Sequence, residues 1–220
     1  MLLPREPLVE RIAYRCAAWD TPFWVDANPI AGRFNRAGEA PTSYLGLHPL
    51  TPWAELLRFL DIRDEASARG VRPPLWTARV VLEESETVDL SFDTAADFGI
   101  DPEDLVADDW HPCQALAAGL RLDPAAPKAI VTPSAALPGT RNLVLLGERV
   151  ISPMLMDPID IAVDTPASIA TVRGRAPTDL LDLVQYQATG IRHPGFEAWE
   201  AGYDYTLEEP QLRAEEIALS

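Results

Sequence analysis

Apolar side chains recur at helical spacing after residue 51. Trp53, Leu56, Leu57 and Leu60 fall on one side of a 3.6-residue turn. Thr51 and Pro52 stand where an N-cap and a first helical residue belong, and Gly70 where a helix stops. The pattern predicts one helix from 51 to about 69, with Glu55 in its first turn. Residues 111–122, with Gln114, Leu116, Ala117 and Leu120, predict a second helix with an apolar face. Residues 177–188 predict a third, with Leu180, Leu181, Val184 and Tyr186 apolar. Alternation and apolar content predict strands at 76–82, 129–132 and 142–146, and a short one at 88–90. Residues 12–19 read as a strand or an extended arm, 41–45 and 157–163 as extended, and 102–110 as irregular or briefly helical. The last ten or so residues, rich in Glu, read as a frayed helix. The order of elements is α+β.

Composition narrows the class. The chain has 220 residues and 47% hydrophobic content, enough for one domain with a real core, or one domain with an appendage. No apolar run reaches transmembrane length, and the first residues lack the order of a signal peptide. The expectation is a cytoplasmic protein with no membrane partner. Cys16 and Cys113 read as reduced thiols, a disulfide between them being the other arrangement. No His, Cys or Asp cluster has metal-ligand spacing, so no metal is expected. There is no Gly-x-Gly-x-x-Gly, so a dinucleotide would not be held in the Rossmann manner.

The formal net charge of −16 argues against direct nucleic-acid binding. Residues 83–109 hold 11 acidic side chains and no basic one. Such a run is solvated surface in the plain reading; in the sharper one it faces a basic partner.

The chemistry concentrates in Gly32-Arg33-Phe34-Asn35-Arg36-Ala37-Gly38, then Ser43-Tyr44-Leu45, then Trp53-Ala54-Glu55-Leu56. Singly these residues are ordinary: an arginine in a turn, a tyrosine ending a strand, a glutamate favoured early in a helix by the macrodipole. Together they suit a phosphate-bearing nucleotide. An arginine fork pairs phosphate oxygens, a tyrosine offers a flat face and a hydroxyl, and a carboxylate stabilises positive charge on a sugar losing its glycosidic bond. Ser134 sits at a strand end, in the proline- and glycine-containing loop 133–139. It has no Gly-x-Ser-x-Gly around it and no evident histidine partner, so a serine-hydrolase reading is weak.

The pattern Gly-Arg-Phe-Asn-x-x-Gly, then Tyr, then Ala-Glu, resembles the RES domain. Ile130-Val131-Thr132-Pro133-Ser134 with Asn142-Leu143-Val144, and the upstream Tyr14-Arg15, extend the match. Phe34 stands where tryptophan is also common in the family. The resemblance covers residues 10–155 and leaves 156–220 as a C-terminal extension packed on the domain or continuous with it.

It implies an ADP-ribosyltransferase-like fold, a split antiparallel β core with surrounding helices. It implies cleavage of the nicotinamide–ribose bond of NAD, as substrate rather than cofactor, with water or phosphate as acceptor. It also implies a toxin of a toxin–antitoxin pair, joined in a hetero-oligomer to a helix-turn-helix antitoxin. On this reading Glu55 stabilises the oxocarbenium-like ribose, Arg33 and Arg15 bind the pyrophosphate, and Tyr44 stacks on or hydrogen-bonds the nicotinamide end. Ser134 orients a ribose or a neighbouring side chain, and Asn35 holds the turn. The alternatives are a protein ADP-ribosyltransferase and an inactive binding domain. The first often carries a second acidic residue near the glutamate, and Trp53-Ala54-Glu55-Leu56 has none.

Overall fold

In the computed structural model, residues 8–18, 26, 29–122, 127–147, 169–173 and 176–207 are described. The extended segment expected at 157–163, the frayed helix expected at the C-terminus and the end of the 12–19 segment lie outside them.

Among the described residues, seven strands form one sheet: β1 Leu8–Cys16, β2 Thr42–Gly46, β3 Pro74–Glu83, β4 Thr87–Asp89, β5 Ala129–Pro133, β6 Arg141–Leu146 and β7 Ile169–Arg173. Their order is β4-β5-β6-β2-β1-β3-β7, antiparallel at every step except β4–β5. The helices are α1 Thr51–Phe59, α2 Glu65–Ala68, α3 His111–Leu122 and α4 Pro194–Glu200. The architecture is α+β.

The sheet is divided near its middle. β1 pairs with β3 from Leu8↔Glu83 to Cys16↔Leu75, yet meets β2 at the single pair Tyr14↔Gly46. β2 in turn pairs along its whole length with β6. Two well-bonded halves therefore touch at one register position.

Period-2 alternation sorts the central strands between two cores. Ile130 and Val144 pack with Phe34, Leu105, Cys113 and Phe196. Val131, Leu143 and Leu145 pack with Ala13, Leu45 and Val80. A third cluster gathers Trp53 and Leu57 of α1 with Leu137, Leu180 and Val184.

Three local expectations are corrected. The helix predicted to about 69 ends at Phe59, where Asp61 takes a positive φ of 52° and breaks the hydrogen-bond ladder. A separate short helix restarts at Glu65, capped by Asp64, whose carboxylate accepts from Ser67 N–H at 2.9 Å and Ser67 Oγ at 2.7 Å. Thr51 is not the N-cap of α1: it is the first helical residue after Leu50, and its hydroxyl pairs with Thr140 Oγ1 at 2.9 Å. Glu55 consequently lies beyond the first turn. The helix predicted over 177–188 is only a 3-10 turn, Thr178–Asp182. Further on, Gln185 N–H leaves any helical ladder and donates to Ala136 O at 2.8 Å.

No helix among the described residues is long and apolar enough to cross a membrane. Cys16 and Cys113 are both free thiols.

Candidate active site

The Gly32–Gly38 segment is a tight turn. Gly32 N–H donates to Asn35 O at 2.9 Å, and Gly38 takes a φ of +73°. A Cβ at Gly32 would stand 2.6 Å from Tyr44 Oη and 2.9 Å from Asn35 Oδ1, so only glycine allows this approach. Tyr44 Oη accepts from Phe34 N–H at 2.8 Å and donates to Asn35 Oδ1 at 2.8 Å. Asn35 Nδ2 donates to Ile30 O at 2.7 Å. Burial pushes the Tyr44 phenol well above its ordinary pKa, so it stays neutral. Helix α3 clamps the turn from outside: Gln114 Nε2 donates to Gly32 O at 2.9 Å, and Arg121 Nη2 to Phe34 O at 3.0 Å.

This turn borders a cavity of about 610 Å³. The cavity lies where β1 and β2 part, with Arg15 and Cys16 on one side and Tyr44, Leu45 and Gly46 on the other. Glu55 and Arg33 also line it. Arg33 Nη1 donates to Asp104 O at 3.1 Å, and the guanidinium pairs with no carboxylate among the described residues. Burial lowers the pKa of Arg15.

Glu55 is fixed through one oxygen. Ser134 Oγ donates to Glu55 Oε1 at 2.7 Å, and Asn142 Nδ2 donates to the same oxygen at 2.8 Å. Oε2 has no protein partner among the described residues. Ser134 is fully buried, and its Oγ accepts from Ala136 N–H at 3.3 Å and Leu137 N–H at 3.1 Å. Two accepted bonds direct its single proton to Glu55. Ser134 is thus brought to the glutamate and does not line the cavity.

Arg58, one turn after Glu55, also lines the cavity. Its Nη1 donates to Ala135 O at 2.5 Å and its Nη2 pairs with Asp108 at 2.9 Å. Burial lowers its pKa, opposed by Glu55 and Asp108.

The expected residues therefore assemble: Arg15, Arg33, Tyr44 and Glu55 share one cavity, and Ser134 stands behind Glu55. Sequence reasoning gave no site role to Asn142 and Thr132, which it quoted only as part of the family match, and passed over Arg58. Asn142 pairs across the strands with Thr132, whose buried hydroxyl has no partner among the described residues and which lines the same cavity. A polar residue opening the apolar run 143–146 was the available signal for Asn142. Among the described residues no group of His, Cys, Asp or Glu side chains could hold a metal.

The RES domain model matches residues 9–164. A probable NAD(+) phosphorylase of Mycobacterium tuberculosis is 34% identical over 117 residues, which is 52% of this chain and 52% of that protein. The chain thus matches about half the length of that curated relative. The crystal structure of the M. tuberculosis MbcT–MbcA toxin–antitoxin complex contains a chain that superposes with a TM-score of 0.53 at 17% identity, over 80% of this chain and 89% of that one. At that identity the likeness is one of fold.

Proposed function

This chain belongs to the RES domain family, and on that premise we propose that it consumes NAD by breaking the nicotinamide–ribose bond. The observation that carries this reading is Glu55, held by Ser134 and Asn142 through Oε1 on the wall of an arginine-bearing cavity.

Nicotinamide in NAD is a cationic leaving group, so no general acid is required. The C1′–N bond breaks with its electron pair going to the ring nitrogen, and positive charge grows on the ribose. A carboxylate already oriented by two donors stabilises that charge without reorganising. Arg33 and Arg15 hold the pyrophosphate; Arg33 Nη1 donates to Asp104 O, and no carboxylate among the described residues competes for the fork. The Tyr44 hydroxyl is occupied by the turn, so the ring face is what it offers the nicotinamide end. Ser134 acts on Glu55 rather than on the sugar. An oxygen of water, which releases one proton to solvent, or of phosphate then bonds to C1′. The relative named for NAD phosphorylase activity favours phosphate.

Residues 10–155 hold the catalytic residues, and the described part of 156–220 is continuous with that unit, β7 pairing with β3 in the same sheet. The biological role is that of a cytoplasmic toxin restrained by an antitoxin, a helix-turn-helix protein that supplies the DNA contacts this acidic chain does not make. Incubating purified protein with NAD, with and without phosphate, and identifying the products tests the reading. Intact NAD in both arms, with folded protein, rejects it.

A further inference from the structure

The residues matched by the RES model end at 164, yet the loop carrying Ser134 is held from behind by chain beyond that point. Three of its carbonyls are taken up there. His193 Nε2 lies 3.1 Å from Ser134 O, Gln185 N–H donates to Ala136 O at 2.8 Å, and Leu207 N–H donates to Gly139 O at 3.1 Å. Arg58 binds both sides of this junction, Ala135 O and, at 3.0 Å, Gln185 O.

The tautomer of His193 follows from its partners. Phe196 N–H points at Nδ1 at 3.2 Å, capping α4, so Nδ1 accepts. Nε2 must then carry the proton and donate to Ser134 O. The ring is buried and meets Phe92 edge-on with centroids 6.5 Å apart, which restrains its plane.

We propose that His193 is a positioning residue for Glu55, acting through Ser134. The inference rests on the reading of Glu55 as the catalytic carboxylate. The Ser134 peptide sets the direction of its side chain, and that side chain holds Glu55 Oε1. Without the His193 donor, the Ser134 carbonyl is left buried and unpaired. The peptide then turns to find a partner and carries Oγ away from the carboxylate. Displacements well under the size of an atom suffice to lower turnover.

Two substitutions separate the cap from the brace. His193→Asn keeps an acceptor for Phe196 N–H but is too short for Ser134 O; His193→Gln keeps the reach. NAD turnover is measured for both, for Ser134→Ala, for Ser134→Ala with His193→Asn, and for Glu55→Gln. His193→Asn is expected to lower kcat roughly tenfold with KM little changed. His193→Gln should recover most of that loss, and His193→Asn should add little to Ser134→Ala. Wild-type kcat in folded His193→Asn, or a loss that multiplies fully with that of Ser134→Ala, overturns the inference. Should His193→Asn not fold, nitrogen NMR of histidine-labelled Glu55→Gln protein decides. A protected Nε2–H supports the brace and an Nδ1–H tautomer overturns it. Full activity of Glu55→Gln would remove the underlying reading, whereas inactive Glu55→Gln beside fully active His193→Asn removes this inference alone.

Discussion

Ser134 Oγ donates to Glu55 Oε1 across 2.7 Å, joining residues 79 positions apart. One sits in a buried loop after β5 and the other on a cavity wall. The second carboxylate oxygen, Oε2, has no protein partner among the described residues.

Glu55→Gln keeps an oxygen for Ser134 and Asn142 and loses the charge. The fold should persist, and NAD turnover should fall by at least ~100-fold, the scale of losing one preorganised electrostatic group. Chromatography of released nicotinamide measures it. Near-normal turnover by a folded variant excludes Glu55 from the chemistry.

Arg33→Lys retains a charge but not a fork. NAD affinity should weaken by roughly tenfold with the melting temperature almost unchanged, since among the described residues Arg33 is tied to neutral groups, the Asp104 carbonyl and the Cys113 thiol, and to no carboxylate. Titration calorimetry on the Glu55→Gln background reads this without turnover. Unaltered affinity would make Arg33 a turn residue only.

Gly32→Ala drives a methyl into Tyr44 Oη, 2.6 Å from the ideal Cβ position. A stability loss of about 1–3 kcal/mol in urea unfolding is expected. The loss should shrink on a Tyr44→Phe background, where the clashing oxygen is gone. An equal loss on both backgrounds would place the clash elsewhere.

Burial lowers the His193 pKa from 6.5 to about 4, with the Arg58 and Arg33 charges adding to the effect and the bond to Ser134 opposing it. Between these values the unfolded chain binds the proton and the folded one does not. Stability from the neutral ring is therefore fully present above pH 6.5, declines as pH falls, and is lost by about pH 4. The change is on the order of 3 kcal/mol. The stability advantage of wild type over His193→Gln should narrow across this window in urea titrations; a constant difference would show that His193 titrates normally.

Expression alone should arrest growth and lower cellular NAD, and Glu55→Gln should relieve both. If a basic antitoxin is steered by the acidic surface, added salt should slow association more than dissociation. Harmless expression of folded, wild-type protein with cellular NAD unchanged would exclude the toxin role.

Local patterning determined much of this protein. The strands at 76–82, 129–132 and 142–146 and the helix at 111–122 follow from periodicity, and the α+β class follows from their order. Arg33, Tyr44, Glu55 and Ser134 were readable because their spacing and neighbours match a family pattern. Even the break after α1 had a local sign, Asp64 three residues before Ser67, which the apolar pattern through Leu60 obscured. What tertiary structure decided is long-range. The opening between β1 and β2 depends on a pairing that holds at one position only. The roles of Asn142 and Arg58 depend on strands and loops distant in sequence meeting α1. His193, in an unremarkable loop by sequence, reaches Ser134 because the late segment folds back over the 133–139 loop. Periodicity reports how a residue relates to neighbours three or four positions away. A hydrogen bond spanning 59 or 87 positions leaves no such trace, because it is set by how whole elements pack.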